Sequence, residues 1–449
     1  MRKLNAYKFR IYPTPEQEEH LFKTIGCARK AYNELLSRYN DLYDEYEEKL
    51  KSEKELPKQQ RVHTQEYYSR SRLIQCSTLK TDLEYLKEVD SLALANSKLN
   101  LDTAFKRFFT GVSERPVYKK RNASKWSYTT NVVGKNITLT KEGLKLPKLK
   151  DRVRIIVHRN PKGILKKATI TKDKDGRWYA SLLYSQKSSV PVYPDTIQEI
   201  TNPGAGDLGV KDLITLSNGL RVENIRVLRK YEDKLARQQR VMSRRAEQAK
   251  RDGKKLSEAK NYQKARLEVA RTHSKIRRVR EDHLHKVTHL IAGLFDFFAL
   301  EDLRSSNLMK NHKLAKAIQD VSWNKFTTFL EYKMVRKGGV IVYIDQYYPS
   351  TQLCSHCEEK TGPKGISNLS VREWECSDCG VIHDRDVNAA LNILFEGLRL
   401  LSIVFDRWDN GGSSLEPSLV IRYSDIPNQN EGLPECSQEN DHNKTSILT

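Results

Sequence analysis

The sequence predicts an α+β protein of several domains. Three observations predict it: strand-like alternation mixed with amphipathic helical runs, two Cys-x-x-Cys pairs late in the chain, and strands that lead into carboxylates. At 449 residues there is room for two or three cores. Lys+Arg number 79 against 57 Asp+Glu, a net charge of +22 that suits a phosphate-binding surface and makes nucleic acid the expected partner. The best apolar run, from Leu290 to Leu300, is short and broken by Asp296, and MRKLNAYKFRIYP lacks a secretory h-region. A cytoplasmic protein with no membrane partner is therefore expected. Cys27, Cys76 and Cys436 are scattered singly, as in a reducing compartment.

LNAYKFRIYP alternates and stops at proline, which reads as a strand. Pro15 opens a helix with an acidic first turn, and helices continue to about Phe109, with a polar loop over 49–61. Tyr32, Asn33 and Arg29 on the first helix read as packing or solvated positions. GVSERPVYKKRNASKWSYTT then interleaves Arg115, Lys119, Lys120, Arg121 and Lys125 with Tyr118 and Trp126, a texture that suits either a groove for nucleic acid or a solvated basic loop. Four strand-like runs up to Gln186, turning at Gly143 and at Asp175-Gly176, suggest a small antiparallel barrel completed by the N-terminal strand. SSVPVYPD is a linker.

Gly204-x-Gly206-x-x-Gly209 formally matches a dinucleotide fingerprint, but no apolar strand precedes it and no helix follows, so that reading is rejected. Asp207 instead heads a hairpin turning at Asn218-Gly219. Residues 221–290 are helical and hold 22 Lys+Arg against nine Asp+Glu, which favours a helix pair along a nucleic-acid backbone over a mixed-charge coiled coil. His285 and His289 lack the glutamate of a zinc hydrolase motif. FDFFALEDL is a buried strand ending in Glu301 and Asp302, WNKFTTFLEYKMVRKGG a helix stopped by glycines, and VIVYIDQYYPS a further strand.

Cys354, Cys357, Cys376 and Cys379 have the spacing of a closed, structural Zn²⁺ site with no open coordination position. Directly after it, Asp384 and Asp386 approach a helix that starts near Asn388, and capping accounts for one of them. This order of strands, helices and acids suits a ribonuclease-H-like sheet. There, three carboxylates could hold two Mg²⁺ for in-line phosphodiester cleavage.

Asp207 in DLGVKDLITLSNG, Glu301 in ALEDL, the WNKFTTFLEYK helix, YYPSTQLCSHC and CGVIHDRDVNAALNIL together resemble the TnpB (OrfB) family of insertion-sequence proteins. KFRIYPTPEQ and AFKRFF match too, so the resemblance spans about residues 1–400. It implies an RNA-guided DNA endonuclease with a RuvC domain, related to compact type V CRISPR effectors. Its expected partners are a guide RNA from the transposon end and double-stranded DNA, cut beside a short protein-read motif. Asp207, Glu301 and Asp386 would be the catalytic Mg²⁺ ligands, with Asp384 the alternative third acid, and the cysteines would hold one Zn²⁺. The implied domains are a β-barrel wedge (1–14 and 110–195), a helical recognition lobe (15–109), a RuvC-like nuclease (196–350 and 381–404), a zinc ribbon (351–380) and a polar, disordered tail (405–449). The tail expectation rests on seven acids against two bases after Trp408.

One stretch departs from the family pattern. Pro203-Gly204-Ala205-Gly206 stands where an apolar residue usually precedes the first aspartate, and such residues weaken a central strand. This keeps a nuclease-impaired, RNA-guided DNA-binding repressor as the alternative function. A strand-joining transposase could use a similar acidic triad, but the zinc-before-last-aspartate layout points away from it.

Overall fold

A computed structural model of the chain describes residues 2–57, 60–121, 126–187, 193–194, 196–303, 312–364, 370–409 and 420–426. Two compact units divide at residue 190.

In the first unit, strand β1 (Arg2–Tyr12) leads into α1 (Pro15–Ser52) through a capping box between Thr14 and Gln17. The helix runs past the predicted stop at Lys49. Lys51 reaches back to Glu47 and Glu48 at 3.2 and 3.1 Å, and Glu53 accepts the His63 and Thr64 amides, capping the next helix. Helices α2 (Val62–Leu73), α3 (Cys76–Asp82) and α4 (Ser91–Phe109) follow, and α1, α3 and α4 share a core around Leu35, Leu36, Leu94 and Leu101. Strands β2 (Trp126–Asn131), β3 (Thr138–Thr140), β4 (Gly143–Lys145), β5 (Arg154–Ile156), β6 (Ile164–Lys172) and β7 (Trp178–Lys187) complete the unit. They form an antiparallel sheet in the order β2-β6-β7-β1-β5 with a separate β3–β4 hairpin. The N-terminal strand joins this sheet as expected. The barrel does not close by backbone pairing: among the described residues β2 and β5 are not hydrogen-bonded to each other, and the three-residue β5 is too short to carry a staggered seam. The buried face, with Phe9, Ile11, Ile170, Trp178 and Leu182, packs against Leu21 and Ile25 of α1.

The second unit is built on β8 (Pro203–Asp207), β9 (Asp212–Leu216), β10 (Arg221–Glu223), β11 (Phe297–Glu301), β12 (Val340–Ile344) and, after two short strands of the cysteine-rich segment described below, a short strand at Val420–Arg422. The order is β10-β9-β8-β11-β12 followed by that last strand, with β8, β11, β12 and Val420–Arg422 parallel. Between β10 and β11 lies a helical hairpin, α5 (Val227–Arg251) and α6 (Lys260–Leu294), whose partners Gln238 and Thr272 meet at 2.7 Å. Helices α7 (His312–Val321) and α8 (Trp323–Lys337) follow β11. Residues of α6, α7 and α8 cover one sheet face around Phe298, Ile214 and Ile341. The other face, with Ala205, Phe297 and Ala299, is covered by helix α9 (Arg385–Asp409), so close that a Cβ on Gly397 would stand 2.5 Å from the Ala299 Cβ.

The tail expectation fails in part. The last helix reaches Asp409, and Val420–Arg422 pairs along Ile341–Tyr343, so residues 405–409 and 420–426 are not a disordered tail. Ile421 is buried against the sheet, which outweighs the polar composition around it. The remaining tail residues lie outside the described residues.

The Pro-Gly approach to Asp207 is a strand. Pro203 takes the first position, where its missing N–H matters least, and β8 pairs with β11 on one side and β9 on the other. The glycines are complemented by their neighbours: a Cβ on Gly206 would stand 2.3 Å from Ile214 Cδ1, and one on Gly204 2.5 Å from the Phe295 ring. Putting the family's apolar residue back is therefore expected to overpack. Gly206→Ile should destabilise by about 1–3 kcal/mol, and Ile214→Val should recover part of that in the double variant. Additive effects in a urea-unfolding double-mutant cycle would refute the complementarity.

Candidate active site

The parallel pairing of β8 with β11 puts the carboxyl ends of both strands at one edge of the sheet. Leu300 is opposite Gly206, so Glu301 and Asp207 emerge side by side. Asp386 comes from the first turn of α9, where the helix dipole favours a carboxylate. Burial first, then the charges of Glu301 and Asp386, push the Asp207 carboxyl up to about 8, with Arg385 opposing. Burial also raises Glu301, against which Ser350 Oγ donates a 2.6 Å hydrogen bond to its Oε1. Arg372 Nη1 donates to Asp386 Oδ2 at 3.2 Å. Carboxylate oxygens are hard donors, the ligand type that Mg²⁺ takes.

Asp384 does different work. Its Oδ1 accepts the amides of Asp386 at 3.1 Å and Val387 at 2.9 Å, and its other oxygen pairs with Arg221. Capping thus falls to Asp384 and starts the helix at Arg385, three residues earlier than predicted.

The four cysteine sulfurs lie within 4.8 Å of one another, and the Cys354–Cys379 and Cys357–Cys376 pairs are each 3.6 Å apart. A tetrahedron with Zn–S bonds of about 2.3 Å has edges of roughly 3.8 Å, so the cluster is compatible with structural zinc. Cys376 and Cys379 sit at the tip of a ribbon of β13 (Glu373–Glu375) and β14 (Ile382–Asp384), whose last residue is the cap of α9; Val420–Arg422 is accordingly β15. His383 Nε2 lies 3.0 Å from Cys354 Sγ.

The predicted nucleic-acid residues divide. Arg115 bonds Asn40 and Asp44 of α1, and Lys119 sits 3.6 Å over the Tyr32 ring, its ammonium pKa lowered by burial. Trp126 donates to the Arg121 carbonyl and packs edge-on against Phe22. Tyr118, Lys120 and Arg121 are exposed, and Lys125 lies outside the described residues. Asn33, read from sequence as packing, clamps both backbone groups of Lys119. The sequence reading also missed Ser350, Arg372, Asn388 and Asn392. A detectable signal was two buried asparagines four apart on an otherwise apolar helix face.

Comparison with known proteins bears on this geometry. The chain is 36% identical over 399 residues to a Streptomyces pristinaespiralis protein named as a candidate RNA-guided DNA endonuclease, covering 88% of this chain and 89% of that one. The chain belongs to the TnpB (OrfB) family. The Escherichia coli K12 relative InsQ, likewise named a candidate RNA-guided DNA endonuclease, is 28% identical over 90% of this chain and 94% of its own. A family profile described as "Probable transposase" matches residues 189–312 and takes in Asp207 and Glu301; one described as "Cas12f1-like, TNB domain" matches 323–393 with the cysteines and Asp386. A "Helix-turn-helix domain" profile matches 1–49, where this chain has β1 and most of the single helix α1. A solved Cas12f1–sgRNA–target DNA complex shares the fold at TM-score 0.52 and 13% identity, covering 87% of this TnpB-family chain and 98% of that chain.

Proposed function

We infer that this TnpB-family protein is an RNA-guided, Mg²⁺-dependent DNA endonuclease of a transposable element, cleaving double-stranded DNA beside a short protein-read motif. The observation that carries this reading is the parallel register of β8 and β11, which sets Asp207 beside Glu301, with Asp386 on the first turn of α9 adding to the charge that raises Asp207. In this reading the acids come from a RuvC-type, ribonuclease-H-like sheet, and the Cys₄ cluster holds one Zn²⁺ as a folding clip. When bound, two Mg²⁺ would supply an activated water and stabilise the leaving oxygen of an in-line displacement. The chain's own work is to hold three deprotonated carboxylates in place. Ser350 fixes one oxygen of Glu301, Asp384 spares Asp386 from capping, and Arg372 steadies Asp386. The first unit would serve as recognition lobe and wedge, with exposed Tyr118, Lys120 and Arg121 as nucleic-acid contacts. The basic α5–α6 hairpin would lie along a phosphate backbone.

The rival reading, occupancy without cutting, drew on the weak strand expected before Asp207. Pairing of β8 on both sides removes much of its support.

A pH dependence follows. Below about 8 the metal-free site keeps a proton on Asp207, whereas a bound divalent ion requires the carboxylate. Mg²⁺ affinity should therefore rise about tenfold per pH unit up to about 8 and then level off, with one proton released per binding event. Stability of the metal-free protein should move the other way. The folded state holds a proton that the unfolded chain has lost, so stability falls as pH rises from the ordinary carboxylate range through about 8. Mg²⁺ titrations and thermal melts across that window check both signs.

The deciding experiment is to purify the protein with co-expressed RNA and assay cleavage of matched double-stranded DNA with and without Mg²⁺, beside Asp207→Ala and Glu301→Ala. Cleavage lost in both variants with binding retained supports the nuclease. Guided binding without cutting by the unaltered protein would favour the repressor.

A further inference from the structure

Ser350 is buried at the exit from β12, four residues before the first zinc-type cysteine, and its hydroxyl is 2.6 Å from Glu301 Oε1. Within its own segment Ser350 is held by its amide, which donates to the Tyr348 carbonyl at 2.8 Å. The segment turns tightly, with Gln352 and Leu353 amides returning to the Pro349 carbonyl, and it is held from outside by two buried side chains of α9. Asn392 Nδ2 donates to the Ser350 and Leu353 carbonyls, each at 2.8 Å. Asn388 Nδ2 donates to the Leu353 carbonyl at 2.7 Å, and its Oδ1 accepts the Ser355 amide at 2.9 Å. The two asparagines therefore grip the backbone on both flanks of Cys354. Burying two amides is costly unless they are bonded, so their use here is this grip.

We propose that Ser350 is a positioning residue for Glu301, and that Asn388 and Asn392 hold it there, making one continuous link from the Cys354 knuckle and the helix of Asp386 to the carboxylate of Glu301. The proposal rests on the nuclease reading above. A hydroxyl bonded to one oxygen of a carboxylate restricts its rotation, so metal is received by an already oriented ligand. Without it, binding metal must also order the side chain.

The test compares Ser350→Ala and Ser350→Thr in the full-length protein with its RNA, with melting temperatures measured alongside. Two readouts are used: the Mg²⁺ concentration giving half-maximal cleavage, and Mn²⁺ binding followed by electron paramagnetic resonance, with Glu301→Ala defining background. Losing a hydrogen bond to a charged group should raise half-saturation and weaken Mn²⁺ binding by about tenfold or more, with the saturated rate little changed. Ser350→Thr, which keeps the hydroxyl, should restore both. Asn392→Ala, with Asn388→Ala as second variant, should shift both readouts in the same direction by a smaller factor. The proposal is overturned if Ser350→Ala lowers cleavage with metal dependence unchanged, if Ser350→Thr is no better than Ser350→Ala at equal melting temperature, or if the asparagine variants change only melting temperature. If Glu301→Ala abolishes cleavage while Ser350→Ala behaves as the unaltered protein, only this inference falls. If Glu301→Ala still cuts, the nuclease reading falls first.

Discussion

Asp386→Asn is expected to abolish Mg²⁺-dependent cleavage, a loss of at least about a thousandfold, whereas Asp384→Asn is expected to cut at close to the normal rate. The difference follows from what each carboxylate already does. Asp384 accepts two amides at the start of α9, and an asparagine side chain caps a helix nearly as well as an aspartate. Asp384→Asn loses only the Arg221 pair, which is partly exposed and worth little. Asp384→Ala removes the cap itself and should cost about 0.5–2 kcal/mol, read as a lower melting temperature with cleavage retained at moderate temperature. Asp386 caps nothing, so Asp386→Asn loses only its favourable place in the helix dipole and the partly exposed Arg372 contact, and should cost less stability than removing the cap. Cleavage rates and melts of the three variants separate the roles. Normal cutting by Asp386→Asn, with Asp384→Asn inactive, would transfer the third acidic role to Asp384.

Much of this site could be read from sequence because its parts are local. A strand that runs apolar into Glu301, a Cys-x-x-Cys spacing and an acidic pair before Val-Asn-Ala-Ala are each written within a few residues. The parallel pairing of β8 and β11 then brings Asp207 and Glu301 side by side, while Asp386 arrives on the first turn of α9. What could not be read depends on contacts between distant residues. Gly204 and Gly206 look like strand breakers until Phe295 and Ile214 are seen filling the space above them. Arg115 and Lys119, expected as nucleic-acid contacts, also engage Asp44 and the Tyr32 ring within the chain. Val420–Arg422 looks like part of a polar tail until the free edge of β12 accepts it. There Arg422 bonds Asp302 at 3.0 Å and Glu331 at 2.9 Å and covers the Tyr343 ring. In each case the missing information is the partner, which local composition does not record.

Removing metal from the cysteine cluster is expected to abolish cleavage without unfolding the second unit. Binding to a structural zinc site of this type contributes folding energy on the order of 10–16 kcal/mol to the module that holds it. That module is small: two knuckles and the three-residue strands β13 and β14, with little apolar core of its own beyond Trp374 against His383. Without metal the four thiols have no reason to converge, and the ribbon should open. The sheet of β8, β11 and β12 should persist, because its two covered faces are packed by Phe298, Leu330 and Met334 on one side and Ala299, Ile393 and Leu401 on the other. The damage reaches the site through continuity of the chain. Asp384 ends β14 and caps α9, so an open ribbon releases the cap, the Arg372 contact to Asp386 and one flank of the Ser350 segment together. Chelator-treated protein and a Cys376→Ser variant should both lose at least about a hundredfold in cleavage. Amide exchange should rise across 372–384, while the main thermal transition stays within a few degrees of its original position. Restored zinc should rescue the stripped protein but not the variant. Full activity after verified metal removal would reduce the cluster to an accessory, and collapse of the whole unit would mean the sheet depends on the clip as much as the acids do.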